Sequence, residues 1–146
     1  VIEFARNVLG YADAHSTEFV RDTLHPVIDM MEEQKSRVYL GATMRLGGYE
    51  CTLREGSRAS EAYGKPLITE RHRHRYELNN LFIPEMEAAG MQCVGHNPKT
   101  GLAEIIELTR HRWYVGTQFH PEYSSTVLNP HPLFLAFLKD VIRPQG

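Results

Sequence analysis

The sequence has few of the features that would assign it to a specialised class of protein. Only two of its 146 residues are cysteines, Cys51 and Cys93, so a disulfide framework is not expected. No apolar run approaches the roughly 20 residues that a membrane helix needs, and the chain does not open with a signal peptide. The 16 basic and 18 acidic residues leave a net charge of −2, which provides no attraction to nucleic acid. We therefore expect a cytoplasmic protein with no membrane partner and no nucleic-acid partner.

Hydrophobic patterning predicts a mixed α/β chain. Strand patterns cover residues 27–31, 49–53, 67–78, 91–95, 102–108 and 113–119. Helical patterns cover residues 1–9, 57–63, 81–89 and 132–141. Glycines at positions 41, 47 and 48 indicate a loop around Met44 and Arg45. Because no capping residue precedes the first helical pattern, we expect the chain to be a piece of a longer protein.

The segment Gln118-Phe119-His120-Pro121-Glu122 follows the last predicted strand. Reactive side chains gather at the carboxyl ends of strands in α/β sheets. Glu122 can accept a hydrogen bond from the His120 ring and fix its tautomer, which is typical of a catalytic base and its orienting acid. For this short motif taken alone, a solvated loop pair is the alternative. The nucleophile is not evident, because Cys51 lies within a strand and Cys93 precedes a turn; both are predicted to be packed thiols.

An arginine-rich segment covers residues 70–77. Strand alternation would place its three arginines on one face, and His72 and His74 on the other. The His-x-His pair could ligate zinc, but the spacing indicates no third ligand. RNA binding is disfavoured by the acidic balance of the chain, so pairing of a guanidinium with a small carboxylate is the better interpretation. A third segment, residues 16–19, has the pattern of a turn or cap with an exposed Glu18.

Taken together, these segments resemble the CTP synthase family of the class I (triad) glutamine amidotransferases. The sequence Q-F-H-P-E at 118–122 is typical of the whole class, whereas T-M-R-L-G at 43–47 and R-H-R-H-R-Y at 71–76 are more restrictive. The resemblance extends over residues 1–146. It implies the later part of a glutaminase domain, with a three-layer α/β/α fold and a mixed central sheet of which this chain forms a part.

The resemblance also implies roles for five residues. His120 would be the general base and acid, and Glu122 would orient it. Glu18 would hold the α-amino group of L-glutamine, Arg75 would hold its α-carboxylate, and Tyr76 would line the pocket. The cysteine of the triad is expected upstream of Val1, so the isolated chain is expected to be inactive.

For the parent protein, the resemblance implies that ammonia passes to a synthetase domain of the same polypeptide. That domain would aminate UTP with ATP and Mg²⁺, with GTP as an effector, and the parent would form a homo-oligomer. No cofactor or metal is expected in this chain. Ala42 stands where the family usually has a glycine in its GTP-coupling loop. A γ-glutamyl hydrolase and a non-catalytic assembly module are the alternatives.

Overall fold

The computed structural model describes residues 1–30 and 44–143, which form two sheets with helices packed against them. The three-stranded sheet has the order β1-β2-β5, with β1 His15–Ser16, β2 Pro26–Asp29 and β5 Glu77–Leu78. The five-stranded sheet has the order β4-β3-β6-β7-β8, with β3 Arg45–Leu53, β4 Leu67–His74, β6 Met91–His96, β7 Ala103–Leu108 and β8 Val115–Thr117. The helices are α1 Ile2–Asn7, α2 Arg58–Tyr63, α3 Ile83–Ala88 and α4 Pro132–Ile142. The predicted α/β class is confirmed.

Two apolar clusters hold these elements together. One packs α1 and α3 against the three-stranded sheet and against β6 and β7 of the other sheet, and it includes Val27, Met86 and Cys93. The other joins α2 and α4 to the five-stranded sheet and includes Cys51 and Ile105. Burial of a side chain such as Val27, Met86 or Ile105 contributes about 1.5–3 kcal/mol to the free energy of unfolding. Both cysteines are therefore core residues, as predicted.

Local sequence signals account for the ends of two helices. The Ser57 side chain accepts a hydrogen bond from the Ser60 N–H at the start of α2, and Gly64 ends that helix with a φ of 65°. Pro132 occupies the first turn of α4, where its missing N–H costs no intrahelical bond. In the described part of the chain, no helix has the length and apolar character required to cross a membrane.

The loop predicted around Met44 and Arg45 is wrong, because β3 begins at Arg45 and continues through both glycines. This strand pairs with β4 from Arg45 to Thr52. The backbone hydrogen bonds with β4 stabilise an extended conformation that the two glycines do not favour on their own. Gly47 adopts a φ of 102°, a backbone conformation that favours glycine over residues with a side chain, and this explains its place within the strand. Gly41 and Ala42 lie outside the described residues.

The single strand predicted over residues 67–78 is also corrected. β4 ends at His74, and β5 begins at Glu77 in the other sheet. Arg75 and Tyr76 therefore lie where the chain crosses from one sheet to the other. The strand predicted over 113–119 is shorter than expected, covering Val115–Thr117.

Candidate active site

Backbone hydrogen bonds fix His120 beyond the end of β8. The His120 N–H donates to the carbonyl oxygen of Arg71 in β4 at 2.9 Å. A 3-10 turn, Pro121–Ser124, then folds the chain back, and the Tyr123 N–H donates to the His120 carbonyl at 3.1 Å. The segment thus leaves the sheet while its backbone remains attached to β4.

The turn brings the Glu122 carboxylate to the His120 ring. Nδ1 of His120 lies 2.7 Å from Oε1 of Glu122, and the two side chains are 34% and 56% exposed. The Glu122 backbone N–H and the hydrogen bond with His120 lower the pKa of the carboxyl group. An ionised carboxylate only accepts, so Nδ1 carries the proton and Nε2 is left free to act as a base. The Tyr123 ring stacks on His120 with 4.8 Å between centroids.

Glu18, Arg75 and Tyr76 line a single depression together with Met44, Arg73 and His74. Glu18 lies on a turn after β1, where its backbone N–H donates to Ser16 Oγ at 3.2 Å. One carboxylate and two guanidinium groups therefore border the same space. Opposite charges at a fixed separation suit the ammonium and carboxylate groups of an amino acid.

β4 connects this depression with the His120 segment. A neighbouring depression is lined by Arg71, Tyr123 and other residues, and Arg73 lines both. The side-chain amide of Gln118 also donates to the Tyr76 carbonyl at 3.4 Å. The five predicted residues thus form two groups on either side of β4. His120 and Glu122 form one group, and Glu18, Arg75 and Tyr76 border the depression that forms the other. Sequence reasoning did not single out Arg73 or Tyr123 as members of the site.

The predicted alternation of β4 is confirmed, because Arg71 and Arg73 are exposed whereas His72 is buried. Within residues 1–30 and 44–143, no group of three or more His, Cys, Asp or Glu side chains is arranged to hold a metal ion. Burial raises the pKa of Cys51 and of Cys93 to about 12, so neither is a thiolate at neutral pH. Neither cysteine therefore fits the role of a nucleophile.

A set of buried charged side chains behind β4 was not predicted. Arg45 Nη1 lies 2.9 Å from Glu77 Oε2, and Arg45 Nη2 lies 2.7 Å from Glu104 Oε1. His72 and His74 contact each other through Nδ1 and Nε2 at 2.8 Å. A signal was present in the sequence, because Glu77 and Glu104 are acidic residues within apolar strand patterns.

The chain matches a known protein family. The family model for glutamine amidotransferase class-I matches residues 1–140. The chain belongs to the class I glutamine amidotransferase family. Over 141 residues, 97% of its length, this amidotransferase chain is 64% identical to a CTP synthase of Bacteroides thetaiotaomicron. It is 56% identical over 143 residues to a CTP synthase of Porphyromonas gingivalis. The chain spans 26% of the length of each of these relatives.

A solved structure agrees with the sequence relatives. The glutaminase domain of Trypanosoma brucei CTPS, solved with bound acivicin, superposes with a TM-score of 0.90 at 33% sequence identity. The match covers 100% of this amidotransferase chain and 57% of that chain. The predicted class I amidotransferase fold is therefore confirmed.

Proposed function

We propose that this chain provides part of the glutaminase site of a CTP synthase. The observation that carries the proposal is that β4 holds the His120 segment at one point and leads into Arg75 and Tyr76, which border the same depression as Glu18. The Arg71 carbonyl holds the His120 backbone at 2.9 Å, and the same strand leads directly into Arg75 and Tyr76. The identity of 64% to a CTP synthase supports this assignment over other glutamine-dependent enzymes.

In the proposed reaction, Glu18 binds the α-amino group of L-glutamine and Arg75 binds its α-carboxylate, with Tyr76 beside them. His120 Nε2 accepts the proton of a cysteine thiol from an upstream part of the parent protein, and the resulting thiolate attacks the side-chain amide and forms a thioester. His120 gives a proton to the departing ammonia. The imidazole then accepts a proton from the water that attacks the thioester, and glutamate and the thiol are released. Glu122 keeps the ring in the tautomer that leaves Nε2 free.

The remaining components of the reaction belong to the parent protein. We propose that a synthetase domain of the same polypeptide receives the ammonia and aminates UTP with ATP and Mg²⁺ in the cytoplasm. GTP would act there as an effector, and the parent would be a homo-oligomer. No described residue of this chain is assigned to the metal, because none belongs to a suitable ligand cluster.

The test is glutamine hydrolysis by the complete protein expressed from its full reading frame. We expect His120→Ala to reduce kcat for glutamate release by about 10²–10⁴-fold, because general acid and base catalysis is lost. His111→Ala is the matched control, since His111 is exposed and contacts the Trp113 carbonyl at 2.8 Å. Equal rates for the two variants would contradict the proposed role. Preferred hydrolysis of γ-glutamyl peptides by the unaltered protein would favour a γ-glutamyl hydrolase instead.

A further inference from the structure

Five side chains on and behind β4 form a closed ring, which we call the buried ring. Arg45, Glu104, His72 and Glu77 are buried, and the His74 side chain is 11% exposed. Three links are within hydrogen-bonding distance, namely Arg45 to Glu77 at 2.9 Å, Arg45 to Glu104 at 2.7 Å and His72 to His74 at 2.8 Å. The other two links are longer. His72 Nε2 lies 3.6 Å from Glu104 Oε2, and His74 Nδ1 lies 3.9 Å from Glu77 Oε1.

The four atoms at the longer links are the buried polar side-chain atoms that have no hydrogen-bond partner among the described residues. A gap of 3.6 Å or 3.9 Å between a nitrogen and an oxygen leaves no space for a water molecule or an ion between them. Buried polar groups of this kind are normally paired, so the ring has to satisfy them, together with the Tyr76 backbone beside His74. A proton at each link would do so.

The buried ring has one proton fewer than its links require when both glutamates are ionised. Two neutral imidazoles carry one N–H each, but three links need a proton: one between the histidines and one at each carboxylate. With both glutamates ionised, one link therefore holds two facing acceptors. Arg45 and two ionised glutamates would also leave a net charge of −1 in the interior. One added proton fills the third link and makes the ring neutral.

We propose that the buried ring holds this added proton on Glu104, so that the Glu104 O–H is directed at His72 Nε2 and both histidines carry their own proton on Nδ1. His72 Nδ1–H then donates to His74 Nε2, and His74 Nδ1–H faces Glu77. The alternative location, on Glu77, would reverse every link and place both histidine protons on Nε2. An O–H donor approaches its acceptor more closely than an N–H donor does, so the shorter of the two long links, between His72 and Glu104, favours the first arrangement.

The electrostatics of the buried ring agree with this assignment. Burial, reinforced by the charge of Glu77, raises the pKa of Glu104 to about 7 despite its bond to Arg45. Burial and the Arg45 charge lower the pKa of His72 to about 3 and that of His74 to about 4, so an imidazolium is excluded at neutral pH. Other titratable groups also face the buried ring. Cys51 and Cys93 lie near Glu104, and His120 lies near His72 and His74.

The buried ring lies between the two sheets, next to the depression that Glu18, Arg75 and Tyr76 line. Arg45, His72, His74 and Glu104 belong to the five-stranded sheet, whereas Glu77 belongs to the three-stranded sheet. The ring therefore joins the two sheets next to the crossing where Arg75 and Tyr76 lie. Its side chains are positioning residues for the pocket that also contains Glu18. This part of the inference rests on the proposed function, whereas the location of the proton does not.

The location of the proton is tested on the unaltered complete protein by solid-state NMR with ¹⁵N-labelled histidine at pH 6. We expect His72 and His74 to be neutral, with the proton on Nδ1 and a bare Nε2 in both rings. Protonated Nε2 in both rings would move the added proton to Glu77 and overturn the assignment. Opposite tautomers in the two rings, or an imidazolium, would also overturn it. Activity is not required for this measurement.

The positioning role is tested by the pH dependence of glutamine hydrolysis. Because the pKa of Glu104 is raised, the closed ring is stabilised at low pH, and this contribution is lost as the pH rises through about 7. We expect the KM for glutamine to stay level while Glu104 is protonated and to rise by up to about tenfold per pH unit above about 7. In Glu104→Gln the amide donates permanently to His72, so KM stays flat with pH.

Glu107→Gln is the matched control, because Glu107 is a buried glutamate of β7 that contacts Arg58 and Ala59 outside the ring. We expect its KM profile to follow that of the unaltered protein. Parallel profiles for all three proteins would overturn the positioning role, even if the NMR result stands. Absence of any glutamine hydrolysis in the complete protein would contradict the proposed function alone, and the location of the proton would still be decided by NMR.

Discussion

Histidine and glutamate side chains meet in two different settings near β4, one exposed and one buried. His120 and Glu122 are joined at 2.7 Å in solvent, where water stabilises the ionised carboxylate. In the buried ring, His72 and Glu104 lie 3.6 Å apart in the interior, and burial raises the pKa of that carboxyl group. The same two residue types thus give an ionised acceptor outside and a protonated donor inside. Solvent access decides which state is stable.

A third pair shows that burial alone does not produce a protonated acid. His131 Nε2 lies 3.0 Å from Glu70 Oε1, and the Tyr63 hydroxyl donates to the same oxygen at 2.7 Å. Although burial acts to raise the pKa of Glu70, these hydrogen bonds outweigh it and the pKa is lowered. The number of donors that reach each carboxylate therefore separates Glu70 from Glu104.

The largest effect is expected from removing the cation of the buried ring. Arg45→Ala leaves Glu77 and Glu104 buried without their charge partner, which should destabilise the fold by about 3–5 kcal/mol. Amide hydrogen exchange in β3 and β7 of the complete protein measures the loss. Arg54→Ala is the control, because Arg54 is exposed and pairs with Glu87 at 2.8 Å. It should cost less than about 1 kcal/mol, and an equal cost for both variants would show that the ring is not a buried charge network.

An intermediate effect is expected from the exposed pair. Glu122→Gln removes the ionised acceptor that fixes the His120 tautomer, and we expect kcat for glutamate release to fall by about 10²-fold. Glu55→Gln, in an exposed turn, is the control. Because the pKa of Glu122 is lowered, the contribution of the carboxylate should persist at neutral pH and disappear only below the ordinary value of 4.5. Unchanged kcat in Glu122→Gln would remove the distinction between the exposed pair and a solvated ion pair.

The smallest effect is expected at Glu70. Tyr63→Phe removes one of the hydrogen bonds to this carboxylate but leaves His131 in place, so the fold should lose about 1 kcal/mol. Hydrogen exchange in α2 and β4 measures the change. Tyr114→Phe is the control, since no hydrogen bond of its hydroxyl occurs in the described ranges. If Tyr63→Phe also raised the pKa of Glu70 above the ordinary range, hydroxyl donation would be the main reason that this buried glutamate stays ionised.

Local signals in the sequence predicted much of the fold. The Ser57 cap and Gly64 predicted the ends of α2, and Pro132 predicted the start of α4, because capping depends on neighbours along the chain. The contact of His120 with Glu122 followed from a spacing of two residues and a proline between them. By contrast, the strand through Gly47 and Gly48 was predicted as a loop, because its stability comes from pairing with β4.

The sequence by itself determined the class of fold, the packed cysteines, the alternating faces of β4 and the exposed His120–Glu122 pair. Each depends on periodicity or on residues within a few positions of one another. The tertiary structure alone decided that Arg45, Glu77 and Glu104 meet around His72 and His74. Their separation along the chain reaches 59 residues, so no local pattern encodes the contact. The protonation of the ring likewise follows from burial and distance, which exist only once the two sheets have joined.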